Sequence, residues 1–123
     1  MTKKLQVLLV EDNAPARKIA ETLLKVWGCE VMSVEDGTSG LAASQAQQFD
    51  LIYTDLGLPD IDGEEMTQKI RQDANNKNHK TPIYGLTADA SREKIDSCLK
   101  SGLNDVLKKP ITQDIHNNVT KCL

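Results

Sequence analysis

The chain has 123 residues, 39% of them hydrophobic and 27% charged, with a formal net charge of −3. That length suits one domain with its own core and is short for two, and the composition excludes a disordered polymer or a bundle of membrane spans. Lys and Arg are scattered along the chain instead of clustered, so no basic face for direct nucleic-acid binding is expected.

The first strand is expected over Leu5–Val10, where LQVLLV is nearly continuous in apolar residues, as in a strand buried on both faces. Ile19, Leu23 and Val26 then recur at helical spacing. A shorter, mixed strand follows at Glu30–Val34, and a second helix carries Leu41. Leu51–Thr54 is the third strand, again apolar, and Met66 and Ile70 mark the third helix. The polar stretch ANNKNHKTP is read as a mobile loop, a spacer and not a domain boundary. Pro82–Leu86 is the fourth strand, Ile95 and Leu99 mark the fourth helix, and Asp105–Lys108 is the fifth strand. Ile111, Ile115 and Val119 lie on one face of the last helix.

Regular alternation of strand and helix requires crossover connections, hence a parallel sheet. The expected fold is α/β, a doubly wound five-stranded parallel sheet in the flavodoxin-like order 2-1-3-4-5, with helices on both faces. Residues 1–123 are taken as one domain. Cys29, Cys98 and Cys122 are odd in number and far apart, which fits neither a disulfide framework nor a CxxC motif and points to reduced thiols in a cytoplasmic protein. The apolar run of MTKKLQVLLV is too short for a secretory signal or a span, so neither export nor membrane insertion is expected.

In a doubly wound sheet, ligands bind beyond the carboxyl ends of the strands, where strand order reverses. Glu11 and Asp12 follow the first strand, Asp55 the third, Thr87 the fourth, and Lys109 with Pro110 the fifth. Taken singly, each has a plain structural reading. Asp12 or Asn13 caps the first helix, with Pro15 in its first turn, and for Asp12 alone capping is the favoured role. Glu11 is an exposed strand-end charge, Thr87 a cap for the fourth helix, and Lys109 a solvated lysine.

Together they say more, because converging carboxylates repel one another and raise one another's pKa. A magnesium ion, which prefers oxygen ligands, would relieve that repulsion. Lys109 as a point charge and Thr87 as a hydrogen-bond donor suit a phosphoryl group, so the set points to phosphoryl transfer. There is no GxGxxG after the first strand and no GxxxxGK[ST], which removes the backbone cradle of dinucleotide and nucleoside triphosphate sites. An aspartyl phosphatase would want a second acid two residues after Asp55, where Gly57 stands. His79 and His116 form no metal-ligand spacing and are read as surface histidines.

VLLVEDN, DLIYTDLGLPDIDG, GLTA and LKKP occur in an order and spacing that resembles the response-regulator receiver family over nearly the whole chain. The resemblance implies a signalling domain that catalyses its own phosphorylation and dephosphorylation and is not a turnover enzyme on small substrates. Asp55 would accept a phosphoryl group from a phosphohistidine of a histidine kinase or histidine phosphotransfer domain. Asp12, Asp55 and the Gly57 carbonyl would bind magnesium, with Glu11 helping through a water. Thr87 matches the switch hydroxyl, Ala88 the small residue beside the phosphoryl group, and Lys109 the lysine that pairs with it. Pro110 is expected after a cis peptide bond that aims Lys109 inward, and Pro59 and Gly63 match the loop after the acceptor. One position departs: Val106 stands where many receivers carry Tyr or Phe, so the readout cannot be an aromatic swing. Ile95, Leu99 and Val106 are candidates for the responding surface, with core packing as the alternative for each.

The VEDN and LTA segments resemble receivers of hybrid sensor histidine kinases, and that parentage is slightly favoured over a stand-alone regulator. With nothing after Leu123, no output domain is expected on this chain. Two other classes stay open: a receiver-like interaction module that is never phosphorylated, and a small metal-dependent phosphohydrolase.

Overall fold

The structure, a computed structural model, describes residues 4–123. Its elements run β1 (Leu5–Val10), α1 (Ala14–Val26), β2 (Cys29–Val34), α2 (Gly37–Ala46), β3 (Leu51–Asp55), α3 (Gly63–Gln72), β4 (Ile83–Thr87), α4 (Arg92–Lys100), β5 (Asp105–Lys108) and α5 (Gln113–Thr120). Every strand pairing is parallel, as the alternation of elements requires, and the order is β2-β1-β3-β4-β5, as expected.

Side-chain alternation along the central strands divides the core in two. Leu8, Val10 and Ile52 face Met66 and Ile70 of α3 and Cys98 of α4. Val7, Leu9, Leu51 and Tyr53 face Leu24 of α1 and Val119 of α5. Because both faces are covered, Val7 to Val10 and Leu51 to Tyr53 are fully buried, which is why those segments lack the polar alternation of a half-exposed strand.

Element ends differ from expectation for local reasons. β4 starts at Ile83, since Pro82 has no N–H to give the ladder, although its carbonyl accepts from Ile52 N at 2.9 Å. Thr112 caps α5 by accepting from Ile115 N, so Ile111 precedes the helix and packs on the core as a half-buried residue. Asn13, not Asp12, caps α1: its side chain accepts from Ala16 N at 2.9 Å. Asp12 is left free for the neighbouring carboxylates.

Two larger corrections concern polar residues. The ANNKNHKTP segment is no loose spacer, because Asn78 is fully buried. Its Nδ2 donates to the carbonyls of Ser44 and Gln47 at the end of α2, at 2.6 and 2.7 Å. Its Oδ1 accepts from Phe49 N and the Thr81 hydroxyl, at 2.7 and 2.9 Å. One asparagine therefore satisfies carbonyls that a helix end leaves without partners. His116 is likewise buried, not at the surface. It lies 2.8 Å from the Tyr53 hydroxyl and 3.5 Å from Cys29 Sγ, with the Trp27 ring stacked on it at 5.4 Å. His79 is partly buried, and its Nδ1 has no hydrogen-bond partner among the described residues.

Candidate functional site

Strand register brings the polar residues to one edge. Val10 is level with Thr54, Asp55 with Leu86, and Thr87 with Lys108, so the residues just beyond β1, β3, β4 and β5 leave the sheet together. Lys109 N donates to the Thr87 carbonyl at 2.8 Å, which ties the last two strand ends to each other. The Lys109–Pro110 peptide is cis.

Glu11, Asp12 and Asp55 each offer a carboxylate oxygen, and these oxygens lie within 4.8 Å of one another. Glu11 is only 4% exposed, which removes its reading as an exposed strand-end charge. Lys109 Nζ sits 2.7 Å from Glu11 Oε1 and 3.1 Å from Asp55 Oδ2, so it is no solvated lysine. The guanidinium of Arg17 donates to the Glu11 carbonyl at 3.0 Å and helps hold the turn after β1.

The charges in this cluster are unequal. Burial pushes the Glu11 carboxyl up, and the neighbouring Asp55 carboxylate pushes it the same way. Burial also works against ionised Asp55, but a hydrogen bond from Glu11 and the Lys109 ammonium hold it below the usual carboxylate range. Burial would lower Lys109, and its hydrogen bonds to Glu11 and Asp55 outweigh that and raise it. The two acids titrate as a pair in which Asp55 is the one kept ionised. Asp55 thus offers an ionised carboxylate oxygen beside an ammonium at the edge of the sheet.

Thr87 stands at the same edge, with its hydroxyl engaged by its own loop. Its hydroxyl accepts from Asp89 N and donates to the Asp89 carbonyl, both at 3.1 Å. The cap of α4 is Ser91, which accepts from Lys94 N, so Thr87 does not cap that helix. Ala88 and Gly57 are exposed on the loops that flank the cluster. Val106 is 7% exposed and packs in the core with Leu103 and Ile83, while Ile95 is half-buried against the same cluster. Of the three residues considered for a responding surface, Leu99 alone is well exposed, at 45%.

The loop from β3 to α3 carries residues that sequence reasoning passed over. Asp60 accepts from the backbone amides of Gly37 and Thr38 at the start of α2, each at 2.9 Å. Its position between Pro59 and Ile61 gave no sign of this, because its partners lie more than twenty residues away. Asp62 caps α3 by accepting from Glu65 N. Beside the cluster, a cleft of about 310 Å³ is lined by Ile19, Leu23, Trp27 and Ile111 and has Glu11 and Lys109 at its polar end.

The family model described as the response regulator receiver domain matches residues 7–120. Sensor histidine kinase GacS of Pseudomonas protegens is 38% identical over 110 residues, covering 88% of this chain and 12% of its own length. Transcription factor SKN7 of Saccharomyces cerevisiae is 33% identical over 114 residues, covering 93% of this chain and 18% of its own length. The chain thus spans less than a fifth of these relatives. Among solved structures, the receiver domain of sensor histidine kinase PA1611 from Pseudomonas aeruginosa superposes with a TM-score of 0.87 at 32% identity, over 98% of this chain and 97% of that one. It is described with a magnesium ion coordinated in its active-site cleft. With the family model matching nearly end to end and the parallel 2-1-3-4-5 sheet beneath it, this chain belongs to the response regulator receiver domains of two-component signalling.

Proposed function

We propose that Asp55 accepts a phosphoryl group from a phosphohistidine of a histidine kinase or histidine phosphotransfer domain, in a magnesium-dependent reaction. The observation that carries this is the placement of Asp55 within ion-pair distance of Lys109 and in one cluster with Glu11 and Asp12. A carboxylate oxygen of Asp55 attacks phosphorus as the phosphorus–nitrogen bond breaks, the electron pair returns to the donor imidazole, and the product is an acyl phosphate. Lys109 stays protonated throughout and faces the negative oxygens of the transferring group, where most catalysis of phosphoryl transfer originates.

The chemistry of the donor set fits magnesium, with Asp12, Asp55 and the Gly57 carbonyl as ligands and Glu11 acting through a water. Magnesium, when bound, supplies positive charge to the phosphoryl oxygens. Ala88 leaves room for the group, and Thr87 reaches it by giving up its turn with Asp89, a change that moves the loop before α4. On α4, Leu99 in the last turn offers exposed apolar surface for a response. The cleft beside Lys109, with Ile19 62% exposed on α1, offers apolar surface next to the site for the partner that donates the phosphoryl group. Similarity to a segment of a sensor histidine kinase favours a hybrid-kinase parent, the free thiols of Cys29, Cys98 and Cys122 support a cytoplasmic setting, and residues 1–123 function as one receiver unit. Acetyl phosphate with magnesium should add one phosphate to the intact mass of the wild type and none to Asp55→Asn. An unmodified wild type would overturn the proposal and favour an interaction module, and steady turnover of phosphate esters would favour a hydrolase.

A further inference from the structure

Gly57, the proposed carbonyl ligand, is not held in place by its own contacts. It is exposed, nothing among the described residues beyond its chain neighbours lies within 4 Å of where a side chain would begin, and its amide makes one long bond of 3.3 Å to Asp55 Oδ1. Its position depends on how the rest of the loop is anchored. At the base, Gly63 N donates to the Leu56 carbonyl at 3.2 Å. Midway, Leu58 is buried and Ile61 packs against the core. Between them the backbone at Pro59 and Asp60 is at the surface, and its tie is the Asp60 carboxylate on the amides of Gly37 and Thr38. The approach is so close that a Cβ on Gly37 would collide with the Ile61 carbonyl. The tie and the missing Cβ are independent observations that place the loop tightly on α2.

We propose that Asp60 is a positioning residue for the metal site: by clamping the β3–α3 loop onto the first turn of α2, it sets where Gly57 presents its carbonyl. The inference rests on the reading of the acidic cluster as a magnesium site. A loop anchored only at its base and by Leu58 and Ile61, with no polar tie at its exposed turn, would sample several placements of Gly57. Octahedral magnesium tolerates little departure from its bond length and angles, and outer partners that orient metal ligands typically change affinity 10–100-fold when removed. Through the clamp, α2 also becomes mechanically joined to the metal site without touching the ion.

The test is isothermal titration of magnesium into the metal-free protein, for wild type, Asp60→Ala, Asp60→Asn and Gly37→Ala. Asp60→Ala and Gly37→Ala should each raise Kd about tenfold. Asp60→Asn, which keeps one acceptor oxygen, should fall between Asp60→Ala and wild type. Gly37→Ala leaves every charge in place, so its weakening separates positioning from loss of a nearby negative charge. Equal Kd values in wild type and variants would overturn the clamp. So would a lower melting temperature in EDTA with Kd unchanged, which marks a purely structural role, or weakening by the Asp60 variants with none by Gly37→Ala. If either alanine variant proves unfolded by circular dichroism, the Asp60→Asn titration decides, a Kd equal to wild type counting against the clamp. A wild type that takes no magnesium would overturn the metal site itself, and the clamp's role with it, before any variant is read.

Discussion

Asp12 and Asn13 are adjacent acceptors ahead of a helix with Pro15 in its first turn, and a cap accepts from the amide three residues on, which for Asn13 is Ala16 N and for Asp12 would be Pro15, with no N–H to give. The proline therefore favours Asn13, a signal that the reading of Asp12 as the cap passed over. Starting α1 at Ala14 gives the cap to Asn13 and leaves Asp12 in a like-charged cluster. The two substitutions should therefore behave in opposite ways in EDTA. Asn13→Ala should lose about 1 kcal/mol in urea denaturation, whereas Asp12→Ala should match or exceed wild-type stability while magnesium binding is lost. A clear loss of stability in Asp12→Ala would show that repulsion within the cluster is already relieved in the metal-free protein.

At the scale of elements, the sequence was most readable where burial was most complete. β1 and β3 announce themselves as apolar runs, which marks them as strands buried on both faces. The segment after α3 was misread because polarity predicts exposure only when no buried backbone needs partners. α2 ends in carbonyls that face inward, and Asn78 reaches them from thirty-odd residues away, a relation invisible to any local pattern. Replacing Asn78 by Ala leaves the Ser44 and Gln47 carbonyls and the Phe49 amide short of partners in the interior. Each such group costs about 1–3 kcal/mol, so Asn78→Ala should lower the guanidinium midpoint by the equivalent of about 3 kcal/mol or more. A change under about 0.5 kcal/mol, typical of surface substitutions, would restore the reading of that segment as a spacer.

The molecule as a whole has a chemical end and a structural end. Carboxylates and Lys109 gather at the carboxyl ends of the strands because parallel strands direct all of their following loops to the same side, so the site was legible once the fold class was. His116 was not, since a lone histidine in a polar helix pattern carries no sign of facing inward. It joins α5 to Tyr53 of β3 and Cys29 of β2, and burial holds its pKa below the ordinary value of 6.5. The unfolded chain then takes up a proton that the folded chain resists. Stability is complete above pH about 6.5 and declines as pH falls from there toward the lower folded value. Chemical denaturation from pH 7.5 to 5 should show that decline in wild type and a shallower one in His116→Phe. Identical slopes would mean that the buried ring is protonated as easily in the fold as outside it.

Thr87 spends its hydroxyl on Asp89, within its own loop. On the proposed reading, the bond to phosphorus forms before this hydroxyl has any stake in it. Writing the mark and reporting the mark are therefore successive events with separate residues in charge of each. The report waits on one short turn letting go, so the delay between them is a property of the β4–α4 loop and can drift in evolution without altering how the phosphate is received.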